Sequence, residues 1–227
     1  MVLKSQLKEK PIFNEEINMK NTIICIGRQY GSGGREIGEK LAKRLGLICY
    51  DKLLIKKAAE ESGLNENMVS IEEETPVGLG TAVSGNTFAD IAAIGSYYSE
   101  EERVFEAESK VITEIAKEGP CVIIGRCASS ILREEGFDVL SVFVYAKKEN
   151  RAKRIAKRCD IDLKSAEKKA EKTDRLRKKY FDFYSDTSWG SPESYDLMIS
   201  SDKYGIDGTV DVIAKAVRDD IGGSANE

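Results

Sequence analysis

No histidine occurs anywhere in the 227 residues. Mechanisms that need an imidazole as general base, proton shuttle or metal ligand are therefore excluded. A Cys-x-x-Cys pair is also missing. Cys25, Cys49, Cys121, Cys127 and Cys159 are scattered, which argues against a zinc knuckle or a disulfide framework and for a reduced compartment. No apolar run approaches the roughly 18 residues of a spanning helix. The first twenty residues, MVLKSQLKEKPIFNEEINMK, have no apolar signal-peptide core and read as a polar arm. Nor does one sign of charge dominate: 35 basic against 39 acidic residues leave a formal net charge of −4, with no general attraction to nucleic acid or to an anionic membrane. The expectation is a cytoplasmic protein that handles small molecules, contacts neither nucleic acid nor membrane, and has an oligomeric state left open. The chain is long enough for one sizeable core, or one core with an inserted lobe.

What is present is a recurring alternation of short apolar runs and amphipathic stretches. TIICI (22–26), LICY (47–50), CVIIG (121–125), VLSVFVYA (139–146) and YDLMISS (195–201) suit buried parallel strands. Helical patterns follow them. In REIGEKLAKRLG, Ile37, Leu41 and Leu45 recur every four residues and Gly46 closes the run. Further helices are expected over 51–63, with Asp51 as N-cap, from Glu100 to the stop at Gly119-Pro120, after Gly125, and over 147–160, 162–186 and 208–219. TPVGLGTAVSGNT (75–87) reads as a mobile loop or junction. The order strand, glycine loop, helix, then repeated strand–helix units predicts a three-layer α/β domain with a mostly parallel sheet.

The segment IICIGRQYGSGGREIGEKLAKRLG (23–46) carries the strongest chemical signal. Glycines between a buried strand and a helix let backbone N–H groups converge, and the helix N-terminus adds its dipole, so an anion is the natural guest. Neither named motif fits strictly. In G-x-G-x-x-G, starting at Gly31, the last position is Glu36. In G-x-x-x-x-G-K-[ST], with Gly33 as the last glycine, Arg28, Gly34 and Arg35 stand at the glycine, lysine and hydroxyl positions. A ligand-free turn remains the alternative, but Arg28 and Arg35 flank a positive dipole end, which is unfavourable unless something negative sits there. Gly125-Arg126 closes another strand, placing a cation on the ligand edge of the sheet or in a surface ion pair. Arg151, Arg154 and Arg158 share one helical face, and Arg175, Arg177 and Lys178 form a second cluster. These are either a solvated face balanced by Glu167, Glu171 and Asp174, or a clamp on transferring phosphoryl groups.

GRQYGSGGREIG, YDK, IIGRCAS, RIAKR, KTDRLRKKYFDFY and WGSPESYDLMISS together resemble the cytidylate kinase-like family, a branch of the nucleoside monophosphate kinases with the P-loop fold. The resemblance covers roughly residues 21–218. It implies a P-loop kinase core over 21–220, an NMP-binding lobe at about 51–105, a helical lid at about 158–188, and a flexible tail at 221–227. It further implies transfer of the γ-phosphoryl of ATP, with Mg²⁺, to CMP or dCMP. Such transfer rests on positioning and charge neutralisation, which a histidine-free chain can supply.

Position by position, the resemblance implies that Arg28, Gly31, Ser32, Gly33, Gly34, Arg35 and Glu36 hold the nucleotide phosphates. Gly34 stands for the family's lysine and Glu36 for its threonine, with Arg35 taking over part of the lysine's role. Arg154, Arg158 and Arg177 are implied as lid cations that act with Arg35 in catalysis. Asp51, Arg126 and Asp174 are implied as substrate-binding residues, and Cys127 replaces an aspartate of the family's Gly-Arg-Asp segment. No protein metal ligand is assigned. Two other readings stay open: a kinase of the same fold for another small acceptor, and a nucleotide-binding regulatory protein without turnover.

Overall fold

A computed structural model describes residues 22–51 and 88–223. In chain order it contains β1 (Ile23–Arg28), α1 (Gly34–Leu45), β2 (Ile48–Tyr50), α2 (Phe88–Glu118), β3 (Cys121–Ile124), α3 (Ala128–Glu134), β4 (Val139–Tyr145), α4 (Lys148–Cys159), α5 (Leu163–Phe183), a short 3₁₀ turn (Pro192–Ser194), β5 (Leu197–Ser200) and α6 (Ser201–Gly223). The expected helix over 51–63 and junction over 75–87 lie outside the described residues, apart from Asp51. The helix expected from Glu100 begins twelve residues earlier, at Phe88, and runs unbroken through the expected lobe boundary at 105. The closing helix also starts earlier, at Ser201, and is broken at Gly205, whose φ of 68° and ψ of −179° no continuous helix accommodates.

The five strands stand in the order β2-β3-β1-β4-β5, and every described pairing is parallel. Register places Ile24 beside Val122 and Leu140, and Ile26 beside Ile124 and Val142. Because side chains alternate across a strand, each strand feeds two cores. Ile24, Ile26, Val122, Ile124, Val142 and Val144 pack with Ile37 and Leu41 of α1 and with Val210, Ile213 and Val217 of α6. Ile23, Cys25, Cys121 and Ile123 pack on the other face with Val111, Ile112 and Ile115 of α2 and with Ile131 and Leu132 of α3. This is the three-layer arrangement that near-continuous apolar strands require. A third, smaller core joins α4 to α5 through Ala152, Ile155, Ala166 and Ala170.

Two local devices fix α1 over the sheet. Gly46 in the left-handed region ends it, its N–H reaching the Ala42 and Lys43 carbonyls. Gly38 lets the helix approach closely: a Cβ there would lie 2.6 Å from Ile124 Cδ1 and 3.2 Å from Ile26 Cδ1. Within β4, Phe143 is fully buried against Trp189 (ring centroids 5.2 Å apart, edge-on) and Tyr195 (4.8 Å).

Gly38→Val is expected to lower the unfolding free energy by about 1–3 kcal/mol, the usual cost of overpacking. Fluorescence of Trp189, the only tryptophan, reports the transition, and an unchanged urea midpoint would contradict the tight α1–sheet contact. A second expectation concerns alkaline pH. Burial pushes the Cys49 and Cys121 thiols up to about 12 and raises those of Cys25 and Cys127 as well. An unfolded thiol ionises near about 8.5, so above that pH the unfolded chain loses protons that the folded chain keeps. The corresponding stability is complete below about pH 8.5 and drains away as pH rises, by up to about 1.4 kcal/mol per pH unit for each thiol. In reductant, the urea midpoint at pH 10 should lie below that at pH 8; equal midpoints would refute the burial of these thiols.

Candidate phosphate-transfer site

The loop between β1 and α1 turns on Gly31 and Gly33, both left-handed (φ 80° and 84°), and Gly33 caps α1 with no side-chain bond of its own. Ser32 is completely buried and faces inward. Its hydroxyl accepts the Gly34 N–H at 3.3 Å, and its carbonyl accepts the Ser201 hydroxyl at 2.6 Å. The first turn of α1 thus points its N–H groups at the loop mouth with no acidic cap.

Helix α4 lies across this mouth. A Cβ on Gly33 would stand 1.9 Å from Arg154 Nη1, so the Arg154 guanidinium occupies the space directly over the α1 N-cap. Among the described residues no hydrogen bond or ion pair neutralises Arg154. Arg158 and Arg177 stack on the Tyr30 ring, their Cζ atoms 5.0 and 5.5 Å from its centroid. Arg177 Nη1 also donates to the Arg28 carbonyl at 3.0 Å. Both backbone groups of Tyr30 are taken by the helical hairpin. Its N–H donates to Asp174 Oδ1 at 2.7 Å, and its carbonyl accepts from Arg151 Nη1 at 3.1 Å. Arg151 in turn bonds Asp174 Oδ2 at 2.5 Å, with only 9% and 14% of the two side chains exposed. Burial pushes the Asp174 carboxyl up, against the opposing pull of the Tyr30 N–H and Arg151.

On the other side of the loop, Gly125, Arg126 and Cys127 all adopt positive φ (81°, 61° and 53°). Two consecutive non-glycine residues in that region mark a strained turn at the C-terminal end of β3. The turn aims Arg126 at Glu108 of α2, Nη1 to Oε2 at 3.1 Å, where Glu108 is 1% exposed. Tyr180 of α5 donates its hydroxyl to the same oxygen at 3.2 Å. Burial, reinforced by Glu108, pushes the Tyr180 phenol well up, so it remains a donor. Phe105 stacks on Tyr184 at 3.7 Å and meets Tyr180 edge-on, walling this side with aromatic rings. Burial keeps the Cys127 thiol protonated.

The fold therefore gathers Arg28, Gly31, Ser32, Gly33, Gly34, Arg154, Arg158 and Arg177 around one loop. The shared face of Arg151, Arg154 and Arg158 is the face that α4 turns to that loop. Arg35 and Glu36 sit on the exposed side of α1. Arg35 Nε bonds Glu39 Oε1 at 2.9 Å and its Nη2 pairs with Asp51 Oδ2 at 2.6 Å, while Glu36 pairs with Lys40 at 3.3 Å. Asp174 spends both oxygens on Tyr30 and Arg151. Tyr30, Glu108 and Tyr180 were not singled out by sequence. Only the position of Tyr30 inside the glycine loop hinted at its role; Glu108 and Tyr180 reach the site through helix packing that no local pattern records. Among the described residues no three His, Cys, Asp or Glu side chains converge to hold a metal.

Comparison with known proteins agrees with this architecture. Residues 23–203 match the model of the cytidylate kinase-like family. A cytidylate kinase of Methanocaldococcus jannaschii is 25% identical over 198 residues, covering 86% of this chain and 97% of that protein. Another, from Archaeoglobus fulgidus, is 30% identical over 199 residues, covering 86% and 93%. The crystal structure of an uncharacterized protein from Eubacterium ventriosum superposes with a TM-score of 0.65 at 26% identity, covering 86% of this chain and 98% of its own. With the parallel sheet, the glycine loop and the arginine-lined mouth, these matches place the chain in the cytidylate kinase-like family.

Proposed function

We propose that the chain transfers the γ-phosphoryl of ATP to a nucleoside monophosphate, CMP or dCMP. The observation that carries this reading is Arg154. An arginine over the positive end of α1, with no acidic partner among the described residues, is electrostatically unfavourable until a polyanion bridges the two. A nucleoside triphosphate does so: its phosphates accept N–H groups of residues 31–36 other than those of Ser32 and Gly34, which bond the Gln29 carbonyl and the Ser32 hydroxyl, and Arg154, Arg158 and Arg177 approach from the α4–α5 side.

The acceptor belongs at Arg126, on the opposite side of the loop. An acceptor phosphate oxygen forms the new bond to the γ-phosphorus while the bond to the β–γ bridging oxygen breaks and ADP leaves. The acceptor is already anionic, so no base is needed, in keeping with the absence of histidine. The side chains hold the groups in line and neutralise charge spread over the transferring oxygens. Glu108 and Tyr180 orient Arg126; Asp174 and Arg151 orient the loop. Asp51 steadies Arg35 at the end of β2. Magnesium enters as part of the MgATP substrate, held by phosphates and water as hard octahedral ions usually are. The described residues assemble no cage for it.

Cys127 favours a second reading in which the acceptor is another small phosphorylated compound. A buried, protonated thiol cannot accept two sugar hydroxyls as a carboxylate does.

The test is ADP formation from ATP with CMP, dCMP, UMP, AMP and non-nucleotide phosphorylated acceptors in parallel. Turnover highest with CMP or dCMP supports the first reading; turnover only with a non-nucleotide acceptor moves the assignment to the second; no ADP with any acceptor sinks both. In an active enzyme, Arg154→Ala should lower kcat by on the order of 10²-fold or more with a smaller change in nucleotide Kd, as expected for a contact that strengthens in the transition state. Full kcat in that variant would remove Arg154 from the mechanism.

A further inference from the structure

The G-x-x-x-x-G-K-[ST] phosphate-loop pattern puts a lysine where this chain has Gly34, and Arg35, the next residue, is the obvious candidate to replace it. The structure offers a different one. Gly34 is buried, and a Cβ placed on it would lie 2.6 Å from Arg28 Cβ, 3.1 Å from Arg28 Cγ and 3.4 Å from Val144 Cβ. The volume a side chain at position 34 would need is already filled by the stem of Arg28. That stem leads the guanidinium across to Gly125, where a Cβ would meet Arg28 Nη1 at 1.8 Å and Cζ at 2.9 Å. Two glycines, one in the phosphate loop and one at the end of β3, are thus emptied of side chains along the path of a single arginine. Its backbone is held in the sheet: Arg28 stands in register with Val144, whose carbonyl accepts the Gln29 N–H at 3.0 Å, and the Arg28 carbonyl accepts from Arg177. Arg35 lies on the outer side of α1, 60% exposed and bonded to Glu39 and Asp51.

The geometry points to Arg28 as the residue that supplies the positive charge the loop lysine would otherwise bring to the transferring phosphoryl group. Position 28 and position 34 are alternative origins for one cation: a lysine rising from the first turn of α1, or an arginine descending from the end of β1 over a glycine. The guanidinium ends beside Gly125-Arg126, between the loop that takes the donor phosphates and the turn that takes the acceptor. A cation there meets the phosphoryl group in passage, and its planar fork can contact two oxygens at once. This inference rests on the proposed kinase reading and sharpens it by assigning one residue.

The test separates the two. Arg28→Met keeps the Cβ and Cγ that pack on Gly34 and removes the charge alone. Isothermal titration with ATP and with inorganic tripolyphosphate, ADP formation, and a thermal melt are recorded for the wild type, Arg28→Met and Arg35→Met. Arg28→Met should bind both polyanions at least tenfold more weakly and lose on the order of 10²-fold in ADP formation, with little change in Tm and a larger loss than Arg35→Met. A rescue adds a signature that packing alone would not give. Arg28→Gly clears the space over position 34, so Arg28→Gly combined with Gly34→Lys should regain part of the polyanion affinity and turnover lost in Arg28→Gly. Wild-type binding and turnover in Arg28→Met, or a larger loss in Arg35→Met, would overturn the assignment while leaving the kinase reading intact. A folded double variant no better than Arg28→Gly would also overturn it; if the double variant does not fold, the two methionine variants decide. A wild type that binds neither ATP nor tripolyphosphate would overturn both.

Discussion

The site depends on how one loop residue is held. Tyr30 gives its N–H to Asp174 and its carbonyl to Arg151, and those two side chains bond each other within the packed seam of α4 and α5. A buried pair of this kind contributes little net stability over an apolar replacement, yet removing one partner strands the other and typically costs about 3–5 kcal/mol. Here each charge also bonds a backbone group of Tyr30 in the glycine loop, while Arg151 Nε stays buried without a hydrogen-bond partner among the described residues. The loop is therefore satisfied in one position relative to the helical hairpin, and the hairpin carries Arg154 and Arg158 into place with it. The Tyr30 ring extends the same logic, lying under Arg158 and Arg177 where cation–π attraction supplements the hydrogen bonds.

From that anchoring follows a division of charge. The buried cations are matched, Arg151 by Asp174 and Arg126 by Glu108, and so is the exposed Arg35, by Glu39 and Asp51. Arg154 is left over the α1 N-terminus without such a match among the described residues. In a site whose chemistry is the movement of negative charge, such an arrangement favours the bound polyanion over the empty mouth. It also suits the phosphoryl transfer proposed for a chain without histidine: the reacting oxygens would be anionic already, leaving only their repulsion and orientation to the protein.

The Arg126 side of the mouth is built by strain and aromatic packing rather than by a glycine loop. Positive φ at Arg126 and Cys127 costs free energy of order 1–3 kcal/mol per residue, and it persists because Glu108, Tyr180 and the short helix α3 hold the turn from three directions. The same turn places Gly125 where the Arg28 guanidinium crosses, so the glycine loop and the Arg126 turn meet over one glycine.

Much of this was written in local pattern. The apolar runs, the four-residue spacing of Ile37, Leu41 and Leu45, the stop at Gly119-Pro120 and the glycine loop determined the strands, the helices and the parallel α/β class, because hydrophobic periodicity and glycine's freedom at positive φ act within a few residues. The shared face of Arg151, Arg154 and Arg158 was legible for the same reason. The early start of α2 at Phe88 was not, since GNTFADIAAIGSYYSE carries small residues whose local preference does not settle a helix. Which arginine would be buried, which would stack on Tyr30 and which would lie over Gly33 depended on where α4 and α5 dock, and docking is decided by contacts more than a hundred residues apart in sequence. Sequence could show that Gly34 is not a lysine; only the packed chain reveals that the stem of Arg28 fills the space that lysine would have used.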